Sequence, residues 1–155
     1  MIYLAADHRG FEIKEKIEAY LNEKGIESKD IGPYEYNKED DYPDFAFLLG
    51  DSVIKGKVGT KGILICGTGI GMSIAVNKVK GIRAAKTDNV EEARMAREHE
   101  DANVLILGYT TCYHHDLDYV KQIVDVFLNT EFTKEERHIR RLRKIEEYEN
   151  GNPNT

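Results

Sequence analysis

A chain of 155 residues has the length of one compact domain, and folding at that size buries roughly two-thirds of the unfolded surface, so stability needs neither disulfide nor metal. Asp plus Glu number 28 against 22 Lys plus Arg, a formal charge of −6, which excludes a protein that tracks nucleic-acid backbones and leaves any anionic ligand to a local cluster of cations. With 41% hydrophobic and 32% charged residues the composition is that of a folded domain, not a disordered segment.

The elements follow in chain order. Residues 2–6 form a short apolar strand that gives way at once to Asp7-His8-Arg9, so they lack the pattern of a secretion signal. Ile13, Ile17, Tyr20 and Leu21 then recur at helical spacing, and Gly25 stops that helix as a C-terminal cap. Residues 26–31 read as a weaker strand, residues 32–43 as a loop with Tyr34, Tyr36 and Tyr42 among acids, and residues 44–55 as a helix. Residues 61–66 are a continuous apolar run, the pattern of a strand buried on both faces. Gly67-Thr68-Gly69-Ile70-Gly71 breaks it and opens a helix to about Lys78.

Residues 81–86 read as a strand, and Asp88 with Glu91 as a capping box for a helix ending near Glu98. Residues 103–107 are a further strand, and Leu117, Val120, Val124, Phe127 and Leu128 mark the next helix. Thr133 and Glu136 form a second candidate capping box for a last, highly charged helix, expected over a sheet edge or on a partner subunit, with a fraying tail. Five strand-then-helix units predict an α/β fold: a doubly wound, Rossmann-like, five-stranded parallel sheet with helices on both faces. Residues 1–132 are its core, and residues 133–155 the C-terminal helix and tail of the same domain. No apolar run approaches the roughly 20 residues of a membrane span, so the expectation is a cytoplasmic protein with neither membrane nor nucleic-acid partners.

Ligands of such sheets bind beyond the carboxyl ends of the strands. That rule gathers Asp7 and His8, Cys66 to Gly71, and Thr87-Asp88 into one cleft. Taken alone, Asp7-His8 reads equally as a helix cap with a surface imidazole. Cys66 ends a buried strand at a glycine-rich helix entry, where backbone N–H groups and the helix dipole are expected to make the thiol ionise more easily than a free cysteine; otherwise it is a buried, inert hydrophobe. Cys66 and Cys112 lie 46 residues apart without a CxxC spacing, so each is read as a free thiol, Cys112 as structural. Gly67-x-Gly69-x-Gly71 lacks both the Walker ending and the third glycine of a dinucleotide loop, Met72 standing there, although Asp88 sits where a ribose-binding acid is expected. A non-catalytic nucleotide-binding module therefore stays open. His99 reads as a site residue or as a histidine favoured by its helix terminus. His114-His115-Asp116 lacks metal-ligand spacing. Arg137 and Arg141, i and i+4 on one helix face, are a solvated face or a pair of guanidinium forks for phosphate.

The same residues carry a resemblance. Ala6-Asp7-His8-Arg9-Gly10, Asp41-Tyr42-Pro43, the run from Cys66 to Lys78, His99, Asn103-Val104-Leu105 and Arg137-His138-x-x-Arg141 resemble the ribose-5-phosphate isomerase B family, which includes the galactose-6-phosphate isomerase subunits, over residues 1 to 145. The resemblance implies isomerisation of ribose 5-phosphate to ribulose 5-phosphate, or of a related hexose 6-phosphate of allose or galactose type, through an enediolate. It implies no metal and no organic cofactor, and a homodimer, or a tetramer, whose clefts draw on two subunits. By motif Cys66 is the base, Thr68 lies beside the sugar oxygens, and Asp7 and His99 open the sugar ring. Tyr42 lies near the substrate, the backbone of Gly67, Gly69, Gly71 and Ser73 holds the enediolate, and His8, Arg137 and Arg141 hold phosphate. Two positions depart from the pattern. Thr110 stands where the ribose enzymes usually carry arginine two residues after Gly108, and Glu100 stands at the ligand where asparagine usually follows the histidine.

Overall fold

The structure, a computed structural model, describes residues 1–112 and 116–151. The His114-His115 pair, the Cys112 thiol and the tail after Gly151 lie outside the described residues. The elements are β1 (Ile2–Ala6), α1 (Phe11–Glu23), β2 (Ser28–Asp30), α2 (Tyr42–Lys55), β3 (Lys61–Cys66), α3 (Ile70–Val76), β4 (Ala84–Lys86), α4 (Val90–Glu100), β5 (Val104–Gly108), the short α5 (Tyr109–Cys112), α6 (Leu117–Asn129) and α7 (Glu136–Glu149). The five strands are all parallel in the order β2-β1-β3-β5-β4, as the alternation of elements predicts.

The apolar run of β3 lies at the sheet centre, covered on both faces. On one face α1, α4 and α6 bury Ile17, Leu21, Ala93, Ile123 and Phe127 against Leu4, Ile63 and Leu105. On the other, α2 and α3 bury Leu49, Val53, Met72 and Val76 against Leu64 and Ile106. Each fully buried Leu, Ile or Phe side chain stabilises by about 1.5–3 kcal/mol.

Gly25 takes a left-handed φ of +69° just past α1, and Ile26 N–H donates to the Leu21 carbonyl, closing the helix as predicted. Elsewhere the boundaries move for local reasons. Pro43 lies in the first turn of α2, where a missing N–H costs nothing, so the helix begins two residues before the predicted Asp44. β4 is shorter than predicted because the Asn103 amide takes Arg83 N–H and gives its own N–H to the Gly81 carbonyl, replacing strand pairing. The α4 cap is Asn89, which accepts Glu92 N–H, while the Glu92 carboxylate accepts Asp88 N–H; the predicted Asp88–Glu91 box is one residue out of register. Thr133 is not a cap of α7. Its hydroxyl donates to the Glu98 carbonyl, and the helix starts at Glu136 without a side-chain cap.

Two contacts shape the rim of the sheet. Gly10 lies against β3 so closely that a Cβ there would fall 2.3 Å from the Ile65 carbonyl oxygen. Lys14 is fully buried, its ammonium bonded to the Asp30 carboxylate and, at 2.6 Å, to the Pro33 carbonyl. A buried ammonium is tolerated only when so paired, and this one ties α1 to the start of the loop that delivers Asp40 and Tyr42.

Gly10→Ala is therefore expected to cost about 3 kcal/mol in urea unfolding, because backbone rather than a flexible side chain must yield. Gly25→Ala, which has open space and only an unfavourable φ, should cost about 1–2 kcal/mol. Equal losses for the two would contradict the packing described.

Candidate active site

Ala6 pairs with Ile65, and Cys66 with Gly108, at the carboxyl ends of the three central strands. Asp7 and the Cys66 thiol therefore emerge side by side at the rim of the sheet. The chain then turns through Gly69, with φ +79°, into α3, and Gly69 N–H donates to the Cys66 sulfur at 3.0 Å.

Each glycine of the loop carries a side chain from another element. A Cβ on Gly67 would lie 2.8 Å from Arg9 Cδ, one on Gly69 3.1 Å from the Lys86 chain, and one on Gly71 2.8 Å from the Tyr42 ring. These glycines hold no phosphate loop of the Walker kind; they let Arg9, Lys86 and Tyr42 lie down on the floor of the cleft. Lys86 is ion-paired with Asp88, so the acid that suggested a ribose contact instead meets a lysine over Gly69. Thr68 is exposed, its hydroxyl accepting Ile70 N–H, and the Ser73 hydroxyl oxygen is buried with no hydrogen-bond partner among the described residues. On the far side, Thr110 donates both its N–H and its hydroxyl to the Gly67 carbonyl, at 2.8 and 2.9 Å.

Burial pushes the Asp7 carboxyl above its ordinary range, although it accepts N–H bonds from Gly10 and Arg9. Burial likewise pushes the Cys66 thiol up, the negative charge of Asp7 adds to the effect, and the N–H groups of Gly69, Met72 and Thr68 oppose it. The expectation of an easily ionised thiol is thus corrected. Desolvation and a neighbouring carboxylate outweigh the helix-entry amides. His8 Nδ1 meets Asp40 Oδ1 at 2.6 Å, and the other Asp40 oxygen is buried without a partner among the described residues.

The remaining predicted residues gather elsewhere. α4 runs back from the carboxyl end of β4, so His99 and Glu100 end it at the opposite rim, near the start of β3. The length of β3 separates that rim from Cys66, about 16 Å at the rise of a parallel strand. There His99 packs against His138 with ring centroids 4.6 Å apart. Thr133 gives its hydroxyl proton to Glu98 and so accepts from His138 Nδ1, which fixes the tautomer of the buried His138. Arg137 pairs with Glu135, and both Arg137 and Arg141 are exposed. A groove of about 260 Å³ between α7 and the sheet edge is lined by Ala84, Ala102, Leu142 and Ile145. The predicted residues thus fall into two groups on one chain: Asp7, His8, Tyr42 and Cys66 to Ser73 at one rim, and His99, Glu100, Arg137 and Arg141 at the other. Sequence reasoning passed over Arg9, Asp40, Lys86 and His138. Among the described residues, no three His, Cys, Asp or Glu side chains converge as metal ligands, and no helix is long and apolar enough to cross a membrane.

A family model described as ribose/galactose isomerase matches residues 2–145. A probable ribose-5-phosphate isomerase B of Mycoplasma genitalium is 45% identical over 148 residues, 96% of this chain and 95% of the relative. Among solved structures, the ribose-5-phosphate isomerase B of Clostridium thermocellum matches with a TM-score of 0.89 at 44% identity, covering 97% of each chain. That of M. genitalium, solved with bound ribulose 5-phosphate, matches with a TM-score of 0.90 at 43% identity, covering 96% of this chain and 95% of that one.

The electrostatics can be checked on the thiol itself. In a Cys112→Ala background, the pH dependence of alkylation by iodoacetamide should give Cys66 a midpoint above the free-cysteine value of about 8.5. Asp7→Asn should move it down by removing the adjacent negative charge. A midpoint below that of free cysteine would contradict the account of the site.

Proposed function

The chain belongs to the ribose/galactose isomerase family, and from that premise we propose that it interconverts ribose 5-phosphate and ribulose 5-phosphate through an enediolate, with Cys66 as the base. The observation that carries this reading is the sulfur at the mouth of β3, with the helix-entry N–H groups around it and a carboxyl group on the adjacent strand. A proton beside a carbonyl is weakly acidic, so its removal needs a positioned base and fixed donors for the oxyanion. The Cys66 thiolate takes the C2 proton of the open-chain aldose. The C–H electron pair forms the C1–C2 double bond, the carbonyl oxygen O1 takes up the negative charge beside the N–H groups of residues 67–73, and transfer of the O2–H proton to O1 together with return of the abstracted proton from Cys66 to C1 gives the ketose.

A base of raised pKa binds a proton strongly once ionised, at the expense of the fraction ionised near neutrality. The sign for activity follows: kcat/KM rises with pH as the Cys66 thiol of the free enzyme loses its proton. Asp7 holds its proton more readily than an ordinary carboxyl, which suits it to serve ring opening together with His99. Tyr42 and Thr68 border the sugar, and His8 receives the phosphate.

His99, Arg137 and Arg141 reach Cys66 only from a second copy of the chain, so the reading includes a homodimer with two composite clefts, alone or within a tetramer. In its support, Phe47 and Leu48 on α2 and Ile70 and Ile74 on α3 are exposed apolar side chains on the layer that carries the glycine loop, a surface that association would bury. We place the enzyme in the cytoplasm on its cysteine usage, two thiols without a paired spacing. Thr110 and Glu100 favour a second substrate class, a hexose 6-phosphate, because they remove a cation and add a carboxylate around the ligand.

Proton NMR of ribose 5-phosphate, allose 6-phosphate and galactose 6-phosphate with the purified protein tests the reading. Turnover of the pentose is expected, failing in Cys66→Ala by at least about a hundredfold while binding persists. Turnover of a hexose phosphate alone would transfer the assignment to that sugar, and turnover of none would reject it. Co-refolding Cys66→Ala with His99→Ala in equal amounts should restore about a quarter of parental activity, since half the dimers then carry one intact cleft of two. Activity no higher than that of the separate variants would contradict the composite site.

A further inference from the structure

Beside the cysteine half-site lies an open cavity of about 470 Å³, lined by His8, Arg9, Glu12, Tyr36, Lys38 and Tyr109. Three of these six can be cationic, in a chain whose net charge is −6. Lys38 is exposed and lies 3.7 Å from Glu39, and His8 is held by Asp40. The Arg9 guanidinium is different. Among the described residues it makes no hydrogen bond and no ion pair, although its backbone N–H is held by Asp7. Its side chain crosses the end of β3, where Arg9 Cδ lies 2.8 Å, and Nε and one terminal nitrogen 3.3 Å, from the position a Cβ of Gly67 would take. Only a glycine leaves room for that path. The carbonyl of the same Gly67 accepts both bonds from Thr110 in α5, so Arg9, from the loop after β1, and Thr110 meet the same glycine.

We propose that Arg9 is a phosphate-binding, specificity-determining residue of this chain, supplying from the β1 loop the guanidinium that Thr110 lacks. The inference rests on the sugar-phosphate reading above. A guanidinium laid across two strand ends offers a planar fork to a phosphate monoester, and Asp7 fixes its backbone from below. An arginine at 110 together with Arg9 would bring two positive charges to one glycine. The presence of Glu12 in the cavity disfavours a second anion and limits the site to one phosphate group.

The test compares parent, Arg9→Ala, Thr110→Arg and Arg9→Ala/Thr110→Arg. Two readouts are used: calorimetric binding of inorganic phosphate, and KM and kcat for ribose 5-phosphate. Loss of one charge-assisted contact to an anion should weaken phosphate binding and raise KM by about tenfold to a hundredfold in Arg9→Ala, with kcat changed far less. Adding Thr110→Arg to that variant should recover at least about tenfold of the loss. Phosphate affinity unchanged in Arg9→Ala overturns the proposal whatever the activity, and so does a double variant as weak as the single one. A parent that binds phosphate through Arg9 yet leaves ribose 5-phosphate unreacted rejects the isomerase reading and upholds Arg9 as the anion ligand.

Discussion

The close approach of the β1 exit to β3 is the constraint on which the rest of the site depends. With no side chain on Gly10, α1 can start directly against the Ile65 carbonyl, and Asp7 is drawn down beside Cys66 at the sheet rim. That proximity places a buried carboxyl next to a buried thiol, and both titrate above their ordinary ranges because neither can carry its charge into water. It also aims Arg9 across Gly67. A bulkier residue at position 10 would lift the loop and separate all three groups at once.

The chemistry of the cleft follows from what lies on its floor. The three glycines of the loop are each covered by a side chain from elsewhere, so the backbone there is a bed for Arg9, Lys86 and Tyr42. Motif residues outside the cleft have structural work of the same kind. Asn77 ties the end of α3 to β4 by exchanging bonds with both backbone groups of Ala84, and Asn103 bridges Gly81 and Arg83. Substitution there would loosen the sheet edge before it touched a ligand.

Much of the fold was legible because its signals are local. The alternation of apolar runs with helical periodicity gives the parallel sheet, and Gly25 and the 61–66 run place their elements to the residue. Caps were harder to place, since Asn89 and Asp88 are chemically equivalent candidates and only the turn geometry selects one. Thr133 kept the look of a cap while spending its hydroxyl on Glu98. Of the cleft, Cys66, Asp7 and His8 were visible from the rule about strand ends, and Tyr42 only through the family resemblance. The same rule, carried one step further, separates His99 from Cys66: a helix that leaves one rim of a parallel sheet returns to the other. The raised thiol was hidden because helix-entry amides are apparent in a sequence and desolvation is not. Arg9 was hidden because its path depends on the emptiness of Gly67 at the end of the neighbouring strand β3, far from it in the chain.

The central claim is that the Cys66 sulfur moves the proton between C2 and C1. Incubation with ribulose 5-phosphate in deuterium oxide, followed by NMR, tests it most directly. The account predicts stereospecific loss of one C1 proton signal in the parent and none above the uncatalysed background in Cys66→Ala, with ribulose 5-phosphate still bound. Exchange that continues at the parental rate in Cys66→Ala would contradict it and assign the base to another residue of the cleft.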